Sequence, residues 1–312
     1  MARYALTSYE RGNQFRVGVV VGAKGFDCMD ACEEVLGSPL FEGEYPMHEL
    51  LAGLHSVHPQ LEELADALAD YDRHLVPESA LRAPILYPPA IFCAAANYKA
   101  HAQEMGGEVT DKSKGQPYFF LKIPHVCVIG PGETVRLPKN SRRVDWEAEL
   151  AVVIGVGGTE IPVERALDHV AGYTIINDVS ARDRNVRPEW KFKWDWFGGK
   201  NAPTFAPMGP HIIPKAYIRD PNDLYLKLWI NDDLMQDANT KDMIFDVRDQ
   251  ISYLSTLVPL SPGDVIATGT PEGVGMGRGV FLKEGDKVTI EIEGIGRLIN
   301  PVGKQRYPLQ GG

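Results

Sequence analysis

Asp145-Trp146-Glu147-Ala148-Glu149-Leu150-Ala151-Val152-Val153-Ile154 runs from acidic residues into an unbroken apolar stretch rich in β-branched side chains, the texture of a strand buried in a sheet. We therefore expect a strand from Trp146 to Ile154. Alternate residues of a strand share a face, so Glu147 and Glu149 project the same way with Cα atoms about 7 Å apart. Carboxylates held that close repel unless a proton or a cation lies between them. A metal ion is the economical cation, although a Glu-x-Glu pair by itself reads more readily as a solvated strand face.

A third acid strengthens the metal reading. Asp178 closes the apolar run Tyr173-Thr174-Ile175-Ile176-Asn177 and opens Val179-Ser180-Ala181-Arg182-Asp183, a strand end of the kind where site residues gather. Glu147, Glu149 and Asp178 make a hard, all-oxygen donor set that selects Mg2+ or Mn2+, with Ca2+ after them, over zinc or copper. Three protein oxygens leave about three octahedral positions for water and substrate, which points to catalysis more than to structure.

Outward from this core the chain reads as mainly β with some α. Further strands are expected at Ile91 to Ala95, Phe119 to Lys122, Gly172 to Asn177, Leu224 to Ile230, Val265 to Thr268 and Lys287 to Ile292. Upstream, Phe15 to Asp27 suggests a hairpin turning at Gly22-Ala23-Lys24-Gly25. Leu50 to Leu75 carries apolar residues at helical spacing, with Pro77 as its stop. Residues 1–80 are expected to form a small N-terminal α+β domain. The proline-rich Ala83 to Pro89 would link it to a catalytic domain over 81–312. The glycines of Gly273-Val274-Gly275-Met276-Gly277-Arg278-Gly279 suggest a mobile loop.

Composition narrows the function classes. With 312 residues, 44% hydrophobic and 24% charged, the chain has an ordinary globular make-up. A net charge of -10 argues against nucleic acid, yet a metal and a few local cations can still hold an anionic substrate in one cleft. No apolar run reaches the ~18 residues of a membrane span and no signal peptide is evident, so we expect a cytoplasmic protein. Cys28, Cys32, Cys93 and Cys127 show no CxxC or zinc-finger spacing and read as reduced, buried thiols; none has a basic sequence neighbour that would make it a nucleophile.

A second constellation is Asn97-Tyr98-Lys99-Ala100-His101-Ala102-Gln103-Glu104. An i, i+3 spacing sets His101 beside Glu104 on one helical turn, so that Glu104 can orient the imidazole for general-base work. An exposed surface turn is the bland alternative. Lys122, Arg182, Lys200 and Thr270 complete the groups suited to a carboxylate or an enolate oxygen, each of which is otherwise an ordinary surface residue. The tryptophans between Trp190 and Trp196 read as packing.

Together the motifs resemble the fumarylacetoacetate hydrolase family. The resemblance is carried by Asn97-Tyr98 with His101 and Glu104, by Asp145 to Leu150, by Asn177 to Asp183, by Lys200 with Phe205 to Pro210, and by Gly269 to Val274, in family order over residues 90–302. It implies a mixed β-sandwich roll behind a small N-terminal domain, and a homodimer. It further implies that Glu147, Glu149 and Asp178 bind Mg2+ or Mn2+, that His101 with Glu104 activates water on a lid that orders over the substrate, and that Lys122, Arg182, Lys200 and Thr270 contact that substrate. Two departures bear on the substrate: Asn201-Ala202-Pro203-Thr204-Phe205 replaces a Ser-x-Asp-Thr-Phe run, and Asn185 stands at a substrate position where several relatives have glutamine.

The reaction expected is hydrolysis of a carbon-carbon bond in an acylpyruvate such as fumarylpyruvate, in aromatic-compound catabolism. Water activated by His101 attacks the distal carbonyl, and the leaving carbanion becomes a pyruvate enolate that Lys200 and Arg182 help to stabilise. The same enolate serves decarboxylation of oxaloacetate-like acids, keto-enol or double-bond isomerisation, and dehydration of 2-oxo acids, which stand as alternatives. A non-catalytic metal or carboxylate binding protein is the rival from another class.

Overall fold

The computed structural model describes residues 2–41 and 46–304. Its spine is a 12-stranded mixed sheet. In spatial order the main path is Leu75–Val76, Lys24–Asp27, Gln14–Val21, Tyr4–Arg11, Ala206–Pro214, Val170–Asn177, Ala148–Ile154, Val265–Ala267, Ile91–Ala95 and Tyr118–Lys122. A five-stranded sheet built on Tyr225–Ile230, Lys287–Ile292 and Gly296–Lys304 lies against Ala148–Ile154, Val170–Asn177 and Ala206–Pro214 of the larger one. This is the mainly β, α+β roll expected from the sequence.

Patterning explains which strands are central. Every residue of Ala148–Ile154 and of Val170–Asn177 is buried, as near-continuous apolar runs require when both faces are covered. Tyr225–Ile230 and Lys287–Ile292 instead alternate buried with more open positions, the signature of a strand with one covered face. The helix Val247–Leu257 starts on a capping box in which Asp246 and Asp249 satisfy each other's backbone amides. Among the described residues no helix is long and apolar enough to cross a membrane.

The first eighty residues contribute strands to the same large sheet, because Tyr4–Arg11 pairs antiparallel with both Gln14–Val21 and Ala206–Pro214. No strand is expected from the sequence at Tyr4–Arg11. The hairpin expected at Phe15 to Asp27 is present as Gln14–Val21 and Lys24–Asp27. The helix expected over Leu50 to Leu75 is Pro46–Leu68. It ends seven residues early, where the apolar spacing gives way to Asp70-Tyr71-Asp72, and Leu75–Val76 pairs as an edge strand with Lys24–Asp27. Pro77 is therefore not its terminator. The proline-rich segment after it is no loose tether: Ala83 and Ile85 are fully buried, and the Ser8 hydroxyl donates to the Pro84 carbonyl at 2.8 Å.

Candidate metal and enolate site

The motif that decided the fold bends at its acidic end. Val144–Asp145 pairs with Ser180–Ala181, whereas the long central strand begins only at Ala148. Trp146 and Glu147 thus lie off the ladder, contrary to the expected single strand from Trp146. The reason is local: the Glu147 amide donates to Asn177 Oδ1 at 3.0 Å, and the buried Trp146 indole donates to the Gly273 carbonyl at 3.1 Å. Ala148 pairs with Asn177 across the ladder and the Asp178 amide donates to the Glu147 carbonyl. Glu147, Glu149 and Asp178 therefore converge, one oxygen from each lying within 4.8 Å of the others, all buried.

Three cations surround this group. Lys200 Nζ lies 2.7 Å from both Glu147 Oε2 and Asp178 Oδ2. Lys122 Nζ sits 2.7 Å from Asp178 Oδ1 and donates to the carbonyls of Val179 and Lys200. Arg182 spans two acids, Nη2 at 2.6 Å from Glu147 and Nε at 2.8 Å from Asp145. Burial pushes Glu147 up, but Lys200 and Arg182 outweigh it and hold the carboxyl down at about 2. Burial also works against the Lys200 ammonium, yet Asp178 and Glu147 keep its pKa above the ordinary lysine value.

Glu149 is different. It accepts the Gly269 amide at 2.7 Å, and burial together with the facing Asp178 and Glu147 pushes its pKa well above the carboxylate range. A buried carboxylate facing two others is the environment a divalent cation relieves. The donor set, hard oxygens converging within ligand range, fits Mg2+ or Mn2+.

His101 lies on the short helix Lys99–Glu104, its Nδ1 3.5 Å from Glu104 Oε2, close enough to the triad to help lower Glu147. Glu104 accepts the Gly273 amide through both oxygens, at 3.1 and 3.2 Å. Burial raises Glu104, but the nearby His101 imidazole and the hydrogen bond from the Gly273 amide outweigh it and leave its pKa below the usual range.

The glycine-rich stretch expected to be a mobile loop is tied to this acid machinery. Asp145 accepts the amides of Gly275 and Met276 at 2.6 and 2.9 Å, at the start of the helical turn Gly275–Arg278.

The structure thus brings Lys122, Arg182 and Lys200 together around the three acids and sets His101 and Glu104 beside them. Thr270 lies beneath Ala148, its hydroxyl donating to the Ala148 carbonyl and accepting from Gln236. Asn185 is buried against Gly199, packed so closely that a Cβ there would fall 1.3 Å from Asn185 Oδ1.

Four site residues carry no role in the sequence analysis, although Asn97, Asp145 and Asn177 stand in its quoted motifs. Asp145 and Asn177 flank the acids in sequence, and their adjacency was the available signal. Asn97 closes three backbone hydrogen bonds to Phe245 and Thr268. Gln236 accepts the Ala148 amide while donating to Thr270 and the Pro271 carbonyl. Nothing local to Asp233–Asn239 marks Gln236 for that place.

Known proteins are similar to this chain in sequence and fold. The fumarylacetoacetate (FAA) hydrolase C-terminal family matches residues 90–303. The mitochondrial oxaloacetate tautomerase of Xenopus laevis is 42% identical over 244 residues, 77% of this chain and 74% of the relative. The maleylpyruvate hydrolase of Sphingobium sp. SYK-6, solved with manganese(II) and pyruvate, superposes with a TM-score of 0.73 at 30% identity, covering 97% of this chain and all of that one. A 5-carboxymethyl-2-hydroxymuconate delta-isomerase from Mycobacterium smegmatis gives 0.62 at 38% identity, covering 72% of this chain and 80% of that one. By the match over residues 90–303 and the site it encloses, the chain belongs to the fumarylacetoacetate hydrolase family of enzymes.

Proposed function

We propose that this chain is a Mg2+- or Mn2+-dependent enzyme that hydrolyses a carbon-carbon bond in an acylpyruvate-type 2-oxo acid. The observation that carries the reading is the His101–Glu104 pair set beside three converging carboxylates. Glu147, Glu149 and Asp178 would hold the ion, which supplies Lewis acidity for the charge that develops on an enolate. Lys200 and Arg182 place fixed positive charge at the same centre, where burial strengthens it. His101, oriented by Glu104, takes the proton from the attacking water. Lys122 holds Asp178 and the Lys200 backbone in place.

A second reading is keto-enol interconversion of oxaloacetate, favoured by the 42% identity to the Xenopus tautomerase. It uses the same enolate and needs His101 only to move a proton at carbon. Cytoplasmic placement and a homodimer also belong to the proposal, the dimer to be tested by light scattering; the mitochondrial label belongs to the Xenopus relative.

The test incubates metal-free and Mg2+- or Mn2+-loaded protein with fumarylpyruvate, acetylpyruvate and oxaloacetate, following pyruvate release and the ultraviolet absorbance of enol-oxaloacetate. Metal-dependent cleavage of an acylpyruvate, lost in Glu147→Ala and His101→Ala, supports hydrolysis. Rapid oxaloacetate tautomerisation without any acylpyruvate cleavage hands the chain to the second reading, and no turnover of any of the three refutes both.

A further inference from the structure

Among the described residues the four most exposed large apolar side chains are Phe192 at 82%, Phe197 at 68%, Trp194 at 63% and Trp190 at 61%. All four fall within Trp190-Lys191-Phe192-Lys193-Trp194-Asp195-Trp196-Phe197. This stretch is the turn and second strand of a hairpin pairing Val186–Arg187 with Lys193–Trp194, followed by the start of the helix Trp196–Lys200. A single exposed ring is ordinary, but a cluster of them marks a surface that meets a partner.

The hairpin is fastened at its base. Trp194 stacks on Trp196 with centroids 6.1 Å apart and planes at 23°, and Trp196 stacks in turn on Phe120 at 4.9 Å and 19°. The Asp195 amide donates to the Asn185 carbonyl at 2.8 Å. The turn therefore projects from a fixed support. Rings that stand out so far suit a soft surface they can enter, whereas a small ligand is held in a concave site.

Charge identifies the surface. The whole chain carries -10, yet residues 139–143 and 183–195 hold seven cations against three acids. Hydrogen bonds join the two segments: the Ser141 hydroxyl and the Arg142 amide donate to Asp183 at 2.6 and 2.8 Å, and the Arg182 amide donates to the Arg143 carbonyl at 2.9 Å. Two of the three acids, Glu189 and Asp195, are answered within the patch by Arg187. Arg142, Arg143, Lys191 and Lys193 are all exposed.

Lysines interleaved with tryptophan and phenylalanine are the composition of a membrane interface, where rings enter the headgroup layer and ammonium groups meet anionic lipid. Two rival partners fit less well. A two-fold contact between copies of the chain sets the same patch against itself and so places like charges opposite each other, and lysine is depleted from protein interfaces. Single-stranded nucleic acid is held in a basic groove that tracks its backbone, not on a projecting turn.

We propose that this hairpin and the adjoining 139–143 segment dock the protein on an anionic lipid bilayer, lying on its surface without crossing it. Trp190, Phe192 and Trp194 enter the headgroup layer, while Lys191, Lys193 and the arginines beside them face the acidic headgroups. Each cation near such a surface raises partition about fivefold.

The experiment is sedimentation of the full chain with vesicles of phosphatidylcholine alone and of phosphatidylcholine with about 30% phosphatidylserine, with tryptophan emission as the second readout. The parent chain should partition at least about tenfold better onto the anionic vesicles, shift its emission to the blue there, and come off as salt is raised. Lys191→Glu with Lys193→Glu should lower that partition about 25-fold or more. Trp190→Ser with Phe192→Ser should lower it about tenfold or more and reduce the blue shift. Lys287→Glu, an exposed charge reversal in the five-stranded sheet, should leave it within about twofold. Circular dichroism confirms the fold of each variant. Absence of binding to either vesicle at low salt, equal binding to both, or an equal loss in Lys287→Glu overturns the proposal. So does a parent dimer that binds no vesicle and dissociates in Trp190→Ser with Phe192→Ser, which gives the surface to a second copy, or a single-stranded oligonucleotide that displaces the chain from anionic vesicles, which gives it to nucleic acid.

Discussion

Lys200 Nζ lies 2.7 Å from Glu147 Oε2, both groups buried, and the same ammonium is 2.7 Å from Asp178. A lysine shared by two prospective metal ligands fixes their orientation and balances charge that three neighbouring acids would otherwise leave unmatched. Its removal leaves buried carboxylates uncompensated, which costs about 3–5 kcal/mol. Lys200→Met should therefore lose stability on that scale in metal-free denaturant titrations. Added Mn2+ should recover part of it, since the ion takes over some of the neutralisation, while turnover falls about 100-fold or more through the lost fixed charge at the enolate. Full stability in the metal-free variant would show that the pair is not a structural tie.

Glu149 makes metal binding a proton-linked event. Burial, Asp178 and Glu147 raise its pKa well above the carboxylate range in the metal-free protein, and an ion needs the ionised form. Below that raised pKa, binding must displace a proton; above it, none. Affinity should then climb with pH by up to about tenfold per unit and level off once Glu149 is ionised in the free protein. Calorimetry in two buffers of different ionisation heat reads the released proton directly. Affinity independent of pH from about 5 to 8 with no proton release would count against this placement of Glu149.

Glu104 holds two partners at once, His101 at 3.5 Å and the Gly273 amide. Its lowered pKa keeps it ionised through the neutral range. Glu104→Gln retains an oxygen for Gly273 but loses the charge that orients the imidazole. Acylpyruvate turnover should drop about 100-fold with Mn2+ affinity unchanged within about twofold, since no ligand oxygen is altered. A comparable loss of Mn2+ binding would place Glu104 in the metal site.

The parts of the site that follow strand periodicity were legible in the sequence. Glu149 lies on the strand that the apolar run marks out and Asp178 sits where another such run ends, whereas Glu147, expected on the same strand, lies off the ladder and is held by the bond from its amide to Asn177. What escaped depends on partners distant in the chain. Gln236 is separated from Ala148 by 88 positions, and its strand, Asp233–Asn239, is polar enough to pass for a surface edge. The parity of Lys122 says that it points inward, but only the assembled sheet shows Asp178 opposite it. The helix Pro46–Leu68 was overextended because Pro77 is a conspicuous stop, whereas the actual end is set by loss of apolar spacing after Leu68. The aromatic rings from Trp190 to Trp196 were read as packing; periodicity within a short hairpin carries no information about Phe120, some seventy residues earlier.

Gly269 packs between the second carboxylate and Asn97, just ahead of the helix that carries His101. Its amide donates to Glu149 at 2.7 Å, its φ is +100°, and a Cβ would lie 2.7 Å from the Asn97 Cβ. Asn97 cannot retreat easily, since its side chain closes three hydrogen bonds to Phe245 and Thr268. Gly269→Ala should thus cost about 1–3 kcal/mol in strain and shift the amide away from Glu149, lowering Mn2+ affinity about 3- to 10-fold. Gly279→Ala is the matched control: its φ is +70° but nothing lies within 4 Å of the added carbon, so about 1 kcal/mol of backbone cost should come with unchanged metal binding. Denaturant midpoints and Mn2+ titrations of both variants separate a general glycine effect from a specific one. Equal Mn2+ affinity in the two would detach the Gly269 amide from the metal site and leave Glu149 positioned by its strand alone.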